Sequence, residues 1–295
     1  VPELVHLEND ACRVAVAPQM GGGIAAFTAR TGNGDRPVLR PLAGKGAKVF
    51  DLAQNVLVPF SNRISGGGFS YGGAFHQIAP NLPGEVFPIH GDGFQKPWSV
   101  LAADRTQVRL HLDDGRIGPY RYTADLTYRL EGSGLTSALR VTNTGAHLPF
   151  GGGFHPWLPR LADTTLSFEA ATVWLEDNRH LPTQEVPVTD GRAWDFRTPR
   201  GLPQGLINNA FTGWAGTALV TQPALGIAVE ITAQDRLTTA IVYSPGARAD
   251  FFCFEPVSQA VDAHNRPGQP GLTPLATGES LEFSMIVAWR DLREE

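Results

Sequence analysis

Four side chains of this sequence join a reactive group to an unusual backbone setting. Glu255 ends the apolar run FFCF and precedes Pro256, and His155 stands between the triple glycine of FGGGF and the prolines of HPWLP. His90 closes the apolar pair in PIHGDGF, and Arg63 follows Asn62 in PFSNRISGGGF. A carboxyl group entering the end of an apolar strand loses solvation, which favours its neutral form and raises its proton affinity. Tuned that way it can act as a general base near neutral pH. A structural ion pair with an arginine is the competing reading. Glycine lets the main chain approach a neighbour closely, and proline fixes φ at about −65°. His155 is therefore either pinned by its surroundings or aimed at a ligand. His90 and Arg63 leave the same choice open.

Other chemistries find little support. No HxH, HExxH or CxxC spacing is present, so no metal site is expected. The glycine runs at 21–23, 66–68 and 151–153 lack the GK[ST] of a phosphate loop, and no GxSxG supplies a hydrolase serine. His111 falls on the polar side of an alternating strand. His6, His76, His147, His180 and His264 lie in polar or turn-like surroundings and read as structural or surface residues. Cys12 and Cys253 make no disulfide framework, and Cys253 reads as a buried thiol packing as a small hydrophobe.

The elements that must hold these residues are strands. In YTADLTYRL, Tyr122, Ala124, Leu126, Tyr128 and Leu130 fall on one side while Thr123, Asp125, Thr127 and Arg129 fall on the other. The same period recurs at Val108, Leu110 and Leu112, at Ile227, Val229 and Ile231, and at Leu281, Phe283, Met285, Val287 and Trp289. Turn clusters such as DDG, EGSG, TNTG and SPG separate these runs, and no amphipathic helix longer than about two turns is found. The expectation is an all-β fold: a large antiparallel β-sandwich, a single domain over residues 1–295, with a ligand on the concave face of one sheet. No 20–50-residue repeat suggests a propeller.

Hydrophobic residues make up 42% of the 295 and charged residues 18%, the balance of an ordinary folded chain. A net charge of −5 with no long basic run argues against a nucleic-acid surface. The GKGAK cluster, with Lys45 and Lys48, reads as a solvated loop. No leader-type segment and no run of about 18 apolar residues is seen. A soluble, cytoplasmic protein without membrane contact is expected.

The reactive residues also carry a resemblance. PFSNRI resembles the P-x-x-NRI segment of the aldose 1-epimerases, the galactose mutarotase family, and IHG at 89–91 with Trp98 downstream is similar to that family's HG…W block. HPWLP at 155–159 resembles its HPYF block with Trp157 in place of tyrosine, and FEPVSQAVDAHN at 254–265 resembles its EP…DA-x-N block. VPVTDGRAWDFRTPRGL at 186–202 is similar to a stretch that usually reads PV-x-GTPFDFR. The likeness runs nearly the whole chain and implies the galactose mutarotase-like supersandwich, an isomerase without cofactor or metal, and a small aldose as partner. Monomer or homodimer stays open. By this resemblance Glu255 is the general base on the C1 hydroxyl and His155 the general acid on the ring oxygen. His90 is a second histidine bonding the sugar near the reacting centre, and Arg63 with Asn62 helps to hold it. Asn208, in INNAF, aligns where many members carry an aspartate gripping sugar hydroxyls. An amide lacks that charge but donates as well as accepts, so substrate preference is what the exchange touches. Trp157 is either an apolar wall for a sugar face or part of the core.

Mutarotation opens and recloses a hemiacetal, so one proton leaves the anomeric hydroxyl while another reaches the ring oxygen. The expectation is an acid and a base on opposite sides of the ring, across a cavity one pyranose wide, each worth typically about 10²–10⁴ in rate. His155 is expected to start protonated, supported by Glu255 or a nearby carboxylate. The glycines are expected to allow a tight strand end beside the sugar, with Pro156 aiming the ring. Three alternatives remain. A hexose-6-phosphate 1-epimerase would use Arg248 or Arg266 on the phosphate. A sugar-binding module would need no acid–base pair. A glycoside hydrolase or lyase would need a second carboxylate, for which Asp92 is the candidate.

Overall fold

Strands that alternate apolar and polar side chains bury one face only by packing it against another layer. The computed structural model, which describes residues 3–42, 48–189, 193–234 and 236–292, does this with an eleven-stranded and a nine-stranded sheet built from antiparallel pairs. In the larger sheet Gln54–Leu57, Gly153–Pro159, Phe251–Val257, Thr239–Ser244, Ile207–Thr212 and Thr172–Glu176 lie side by side in that order. These neighbours come from distant parts of the chain. The smaller sheet contains Ser280–Asp291, Gly134–Asn143, Tyr120–Glu131 and Gln107–Ile117 as successive neighbours.

The period-two reading holds residue by residue. Tyr122, Ala124, Leu126, Tyr128 and Leu130 are buried, as are Val108, Leu110 and Leu112, and Ile227, Val229 and Ile231. Leu281, Phe283, Met285 and Val287 follow suit, but Trp289 is half-buried and donates its indole N–H to Cys12 Sγ at 3.3 Å. Phe154, Leu158, Phe252 and Phe254 of the larger sheet join one core with Tyr122, Leu126, Tyr128, Leu139 and Phe283 of the smaller. Burial of each such side chain contributes about 1.5–3 kcal/mol. Alternation then sends His155, Trp157, Cys253 and Glu255 to the other face of the larger sheet. That face carries the chemistry.

Helix among the described residues is confined to three-residue turns, and none of it is long and apolar enough to cross a membrane. Lys48 of the basic cluster is exposed, whereas Lys45 and residues 190–192 of the 186–202 stretch lie outside the described residues. The triple glycine has a different reason from the one expected. A Cβ at Gly151 would lie 2.4 Å from Gln259 Oε1, one at Gly152 2.5 Å from the Leu57 carbonyl oxygen, and one at Gly153 2.2 Å from the Pro256 carbonyl oxygen. None of the three lines the cavity described below. They let two neighbouring segments pack closely behind the site rather than bringing backbone up to a ligand.

Candidate active site

Register brings the two central residues together. Gly153 pairs with Val257 and Trp157 with Cys253, so His155 stands opposite Glu255 on one face of the sheet. No ladder pair forms at the positions between, where Pro156 and Pro256 have no N–H to give. His155 Nε2 lies 3.3 Å from Glu255 Oε1, and the residues are only 5% and 3% exposed. The expected placement across a pyranose-wide gap is therefore corrected: the pair forms one wall. Chemistry accommodates this, because the anomeric and ring oxygens of a hemiacetal are bonded to the same carbon.

Burial sets the proton affinities. It pushes Glu255 from 4.5 up to about 8, with the charge of Arg63 opposing, because an ionised carboxylate loses its hydration there. It also drives His155 from 6.5 down to about 3; its own backbone opposes this and the Arg40 charge adds to it. The expectation that His155 starts as an imidazolium is corrected accordingly. Burial disfavours charge on either group, so at neutral pH the pair holds one proton between them. The ion-pair form has the same proton count, so the two groups titrate as a unit. Glu255 Oε2 and His155 Nδ1 are buried without a hydrogen-bond partner among the described residues. Buried polar atoms in native proteins are seldom left so.

His90 is fixed in one tautomer. The Asn62 backbone N–H donates to His90 Nδ1 at 3.0 Å, and the His90 backbone N–H donates back to the Asn62 carbonyl at 3.1 Å. Both residues hold positive φ, 53° and 61°, which ordinary side chains avoid. With Nδ1 accepting, the neutral ring carries its hydrogen on Nε2. Burial keeps it neutral, helped by the nearby His155 and Arg63. This decides a further question. His90, His155 and Glu255 offer ligand atoms within 4.8 Å of one another, the make-up of a two-histidine, one-carboxylate metal site. A ring whose Nδ1 is engaged and whose Nε2 bears hydrogen has no lone pair for a metal, so the trio does not fit one.

The pair and His90 open on a cavity of about 570 Å³, within the range of small-molecule sites. Arg63, Asn62, Asn208 and Trp157 line it too, so the seven residues that the resemblance assigned to the site meet there. Trp157 is buried and also lines the cavity. It stacks on His155 with centroids 4.8 Å apart and planes 14° apart, and its N–H donates to Asn55 Oδ1 at 3.1 Å. The Arg40 guanidinium lies 4.3 Å from the same indole and 4.6 Å from Phe251. Arg63 is gripped by Glu85, with Nε to Oε2 at 3.3 Å and Nη2 to Oε1 at 3.1 Å. Its loop is tied down by Asp262, which accepts the Ser65 N–H at 2.8 Å and the Ser65 hydroxyl at 2.7 Å.

Several expectations change here. His180, read as structural or surface, lines the cavity, as do Phe50 and Glu85, which sequence reasoning passed over. Asp92 does not reach the cavity; it accepts the Tyr122 hydroxyl at 2.7 Å and the Arg116 N–H at 2.9 Å, so it is no second catalytic carboxylate. Neither Arg248 nor Arg266 lines the cavity, and the Arg266 guanidinium is spent over the Trp174 ring at 3.8 Å. No sequence signal marked Glu85 or Glu176, whose partners Arg63 and Asn208 lie on other segments. His264 is buried in the core, its Nε2 2.9 Å from the Tyr120 hydroxyl.

A buried carboxyl and imidazole side by side, a neutral N–H donor and an amide-lined cavity on a two-sheet β-sandwich have the make-up of a sugar-directed acid–base site. The model of the aldose 1-epimerase family matches residues 3–288, and the chain belongs to that family. An uncharacterized protein of Escherichia coli K12, YphB, is 35% identical over 96% of this chain and 98% of its own. A crystal structure from Escherichia coli K12, provisionally named an aldose 1-epimerase, is 32% identical with a TM-score of 0.91 and covers 98% of this chain and 99% of that one. The GalM/aldose epimerase homologue of C. elegans has a TM-score of 0.84 at 18% identity, covering 99% and 100% of the two chains, and shares the fold. The fold is thus the galactose mutarotase-like sandwich, and the family supports epimerase activity in general.

Proposed function

We propose that this protein is an aldose 1-epimerase interconverting the α and β anomers of a free aldohexose. The observation that carries this reading is the Glu255–His155 contact, with an unpartnered buried atom on each residue. A pair that holds one proton has what anomer exchange requires: one group to accept a proton and one to donate. On the sugar, the pair takes the proton of the anomeric hydroxyl and delivers one to the ring oxygen. The C1–O5 bond opens to the aldehyde. Rotation about C1–C2 presents the other carbonyl face, and the same transfers run backwards close the other anomer. No electrons change hands, so the chemistry asks for no cofactor. His90 Nε2–H, held neutral, stabilises negative charge developing on a sugar oxygen. Arg63, Asn62, Asn208 and Trp157 hold the ring.

An unphosphorylated substrate is favoured because the cavity's cations are already matched. Arg63 is bound by Glu85, and Arg179 at the rim pairs with Asp177 at 3.4 Å. A phosphate dianion calls for cations free to meet it. The test is polarimetry of fresh α-glucose and α-galactose with wild type, Glu255→Gln and His155→Asn. Wild type should speed the decay, with both variants near background. Full activity in Glu255→Gln removes the assignment of that residue. Acceleration only of a phosphorylated hexose replaces the free sugar as substrate. Sugar binding without acceleration by wild type leaves a binding module.

A further inference from the structure

Asn208 and His180 reach the cavity from different parts of the chain, and one side chain behind them holds both. Asn208 lies on the strand Ile207–Thr212, and His180 lies in the turn before Pro182–Pro187 with a positive φ of 62°. Glu176 accepts the Asn208 Nδ2–H on Oε2 at 2.9 Å and meets His180 Nδ1 with Oε1 at 3.0 Å. Both partners line the cavity, and Glu176 does not.

The carboxylate dictates what each partner shows. An amide with one N–H committed backward turns its carbonyl away from the carboxylate and leaves the carbonyl and the second N–H for a ligand. An imidazole giving its Nδ1–H to a carboxylate leaves Nε2 as an acceptor while the ring is neutral. One partly buried carboxylate thus sets the polarity of two side chains on two elements. Their position matters as well. Asn208 pairs in register with Tyr243, and Tyr243 with Cys253, two residues from Glu255. Two strand spacings, about 9.5 Å, separate the strands of Asn208 and Glu255. That span fits one pyranose with its hydroxyls.

We propose that Glu176 is a positioning residue that, through Asn208 and His180, fixes the edge of the cavity reading the hydroxyls of a neutral sugar remote from the anomeric carbon. The assignment of the two ends rests on the epimerase reading.

The test reverses the order of amide and acid. Glu176→Gln leaves an amide facing two donors, and Asn208→Asp sets two carboxylates against each other. Glu176→Gln/Asn208→Asp restores complementarity, because the glutamine amide can donate to the new acid and accept from His180. Dissociation constants for galactose and glucose come from calorimetry, and KM and kcat from NMR exchange between anomers. Each single variant should weaken binding about tenfold, the worth of one or two hydrogen bonds, with KM rising more than kcat falls. The double variant should lose clearly less than the two single losses combined, although its new carboxylate offers the sugar no N–H. Losses that add up in the double variant, or single variants that bind like wild type, overturn the proposal. Since calorimetry reads binding without turnover, wild type that binds sugar but leaves mutarotation unaccelerated overturns the epimerase reading alone.

Discussion

Glu255→Gln should make the protein more stable as it removes the activity, and by an amount that depends on pH. Burial lifts this carboxyl from 4.5 to about 8. In the unfolded chain it ionises near its ordinary value, so unfolding releases its proton throughout the interval between. A group that binds protons more tightly when folded supports the fold fully below pH 4.5 and loses that support as pH rises through about 8. At about 1.4 kcal/mol per tenfold change in affinity, the whole interval amounts to roughly 4–5 kcal/mol. Glutamine keeps the shape and does not titrate. The stability difference between variant and wild type should therefore widen by roughly 3–4 kcal/mol between pH 5 and pH 8, in favour of the variant. Urea unfolding followed by tryptophan fluorescence at pH 5, 6.5 and 8 measures it, and contributions from titrating groups not coupled to Glu255 cancel in the difference. Mutarotation by the same variant should fall by about 10²–10⁴. A difference that stays flat with pH, or a variant less stable than wild type at pH 8, refutes the reasoning that burial governs this carboxyl.

Other expectations follow from the same geometry. Because the pair works with one proton, kcat/KM should hold a plateau through neutral pH and fall as pH rises through about 8, where Glu255 loses that proton; an activity still climbing at pH 9 contradicts this. His90, His155 and His264 are buried neutral, the first well below 6.5 and the others at about 3, so their support for the fold is complete above pH 6.5 and lost as pH falls toward 3. The slope should reach up to about 4 kcal/mol per pH unit if all three titrate together, and His264→Asn, outside the cavity, should lower it by about a third in acid-unfolding curves. Asp262→Ala frees Ser65 and loosens the Arg63 loop. It should cost about 1–3 kcal/mol in urea unfolding and raise KM several-fold; unchanged values would show that the loop holds without it.

Much of the framework was readable because its signal is local. Tyr122 to Leu130 declares its buried face through nearest neighbours alone, and Glu255 and His155 announce themselves by the prolines that follow them. The close contact of those two residues was not readable, since it depends on a strand register joining distant segments. His180 differs: its partner Glu176 is only four residues away, but the cavity they face is built by other segments. A histidine in a polar turn looks solvated until Glu176 is placed beside it and Asn208 across the ladder. The glycines before His155 misled in the opposite sense: their sequence suggests freedom beside a ligand, while the packing of Gln259, Leu57 and Pro256 demands the missing side chains.

Trp157 lies almost flat on His155, with Arg40 against the same indole. An excited indole is quenched strongly by a protonated imidazole in contact and weakly by a neutral one. The stack therefore makes the Trp157 emission sensitive to where the proton shared by His155 and Glu255 sits. Light alone could follow that proton as a sugar arrives, without label or coupled assay.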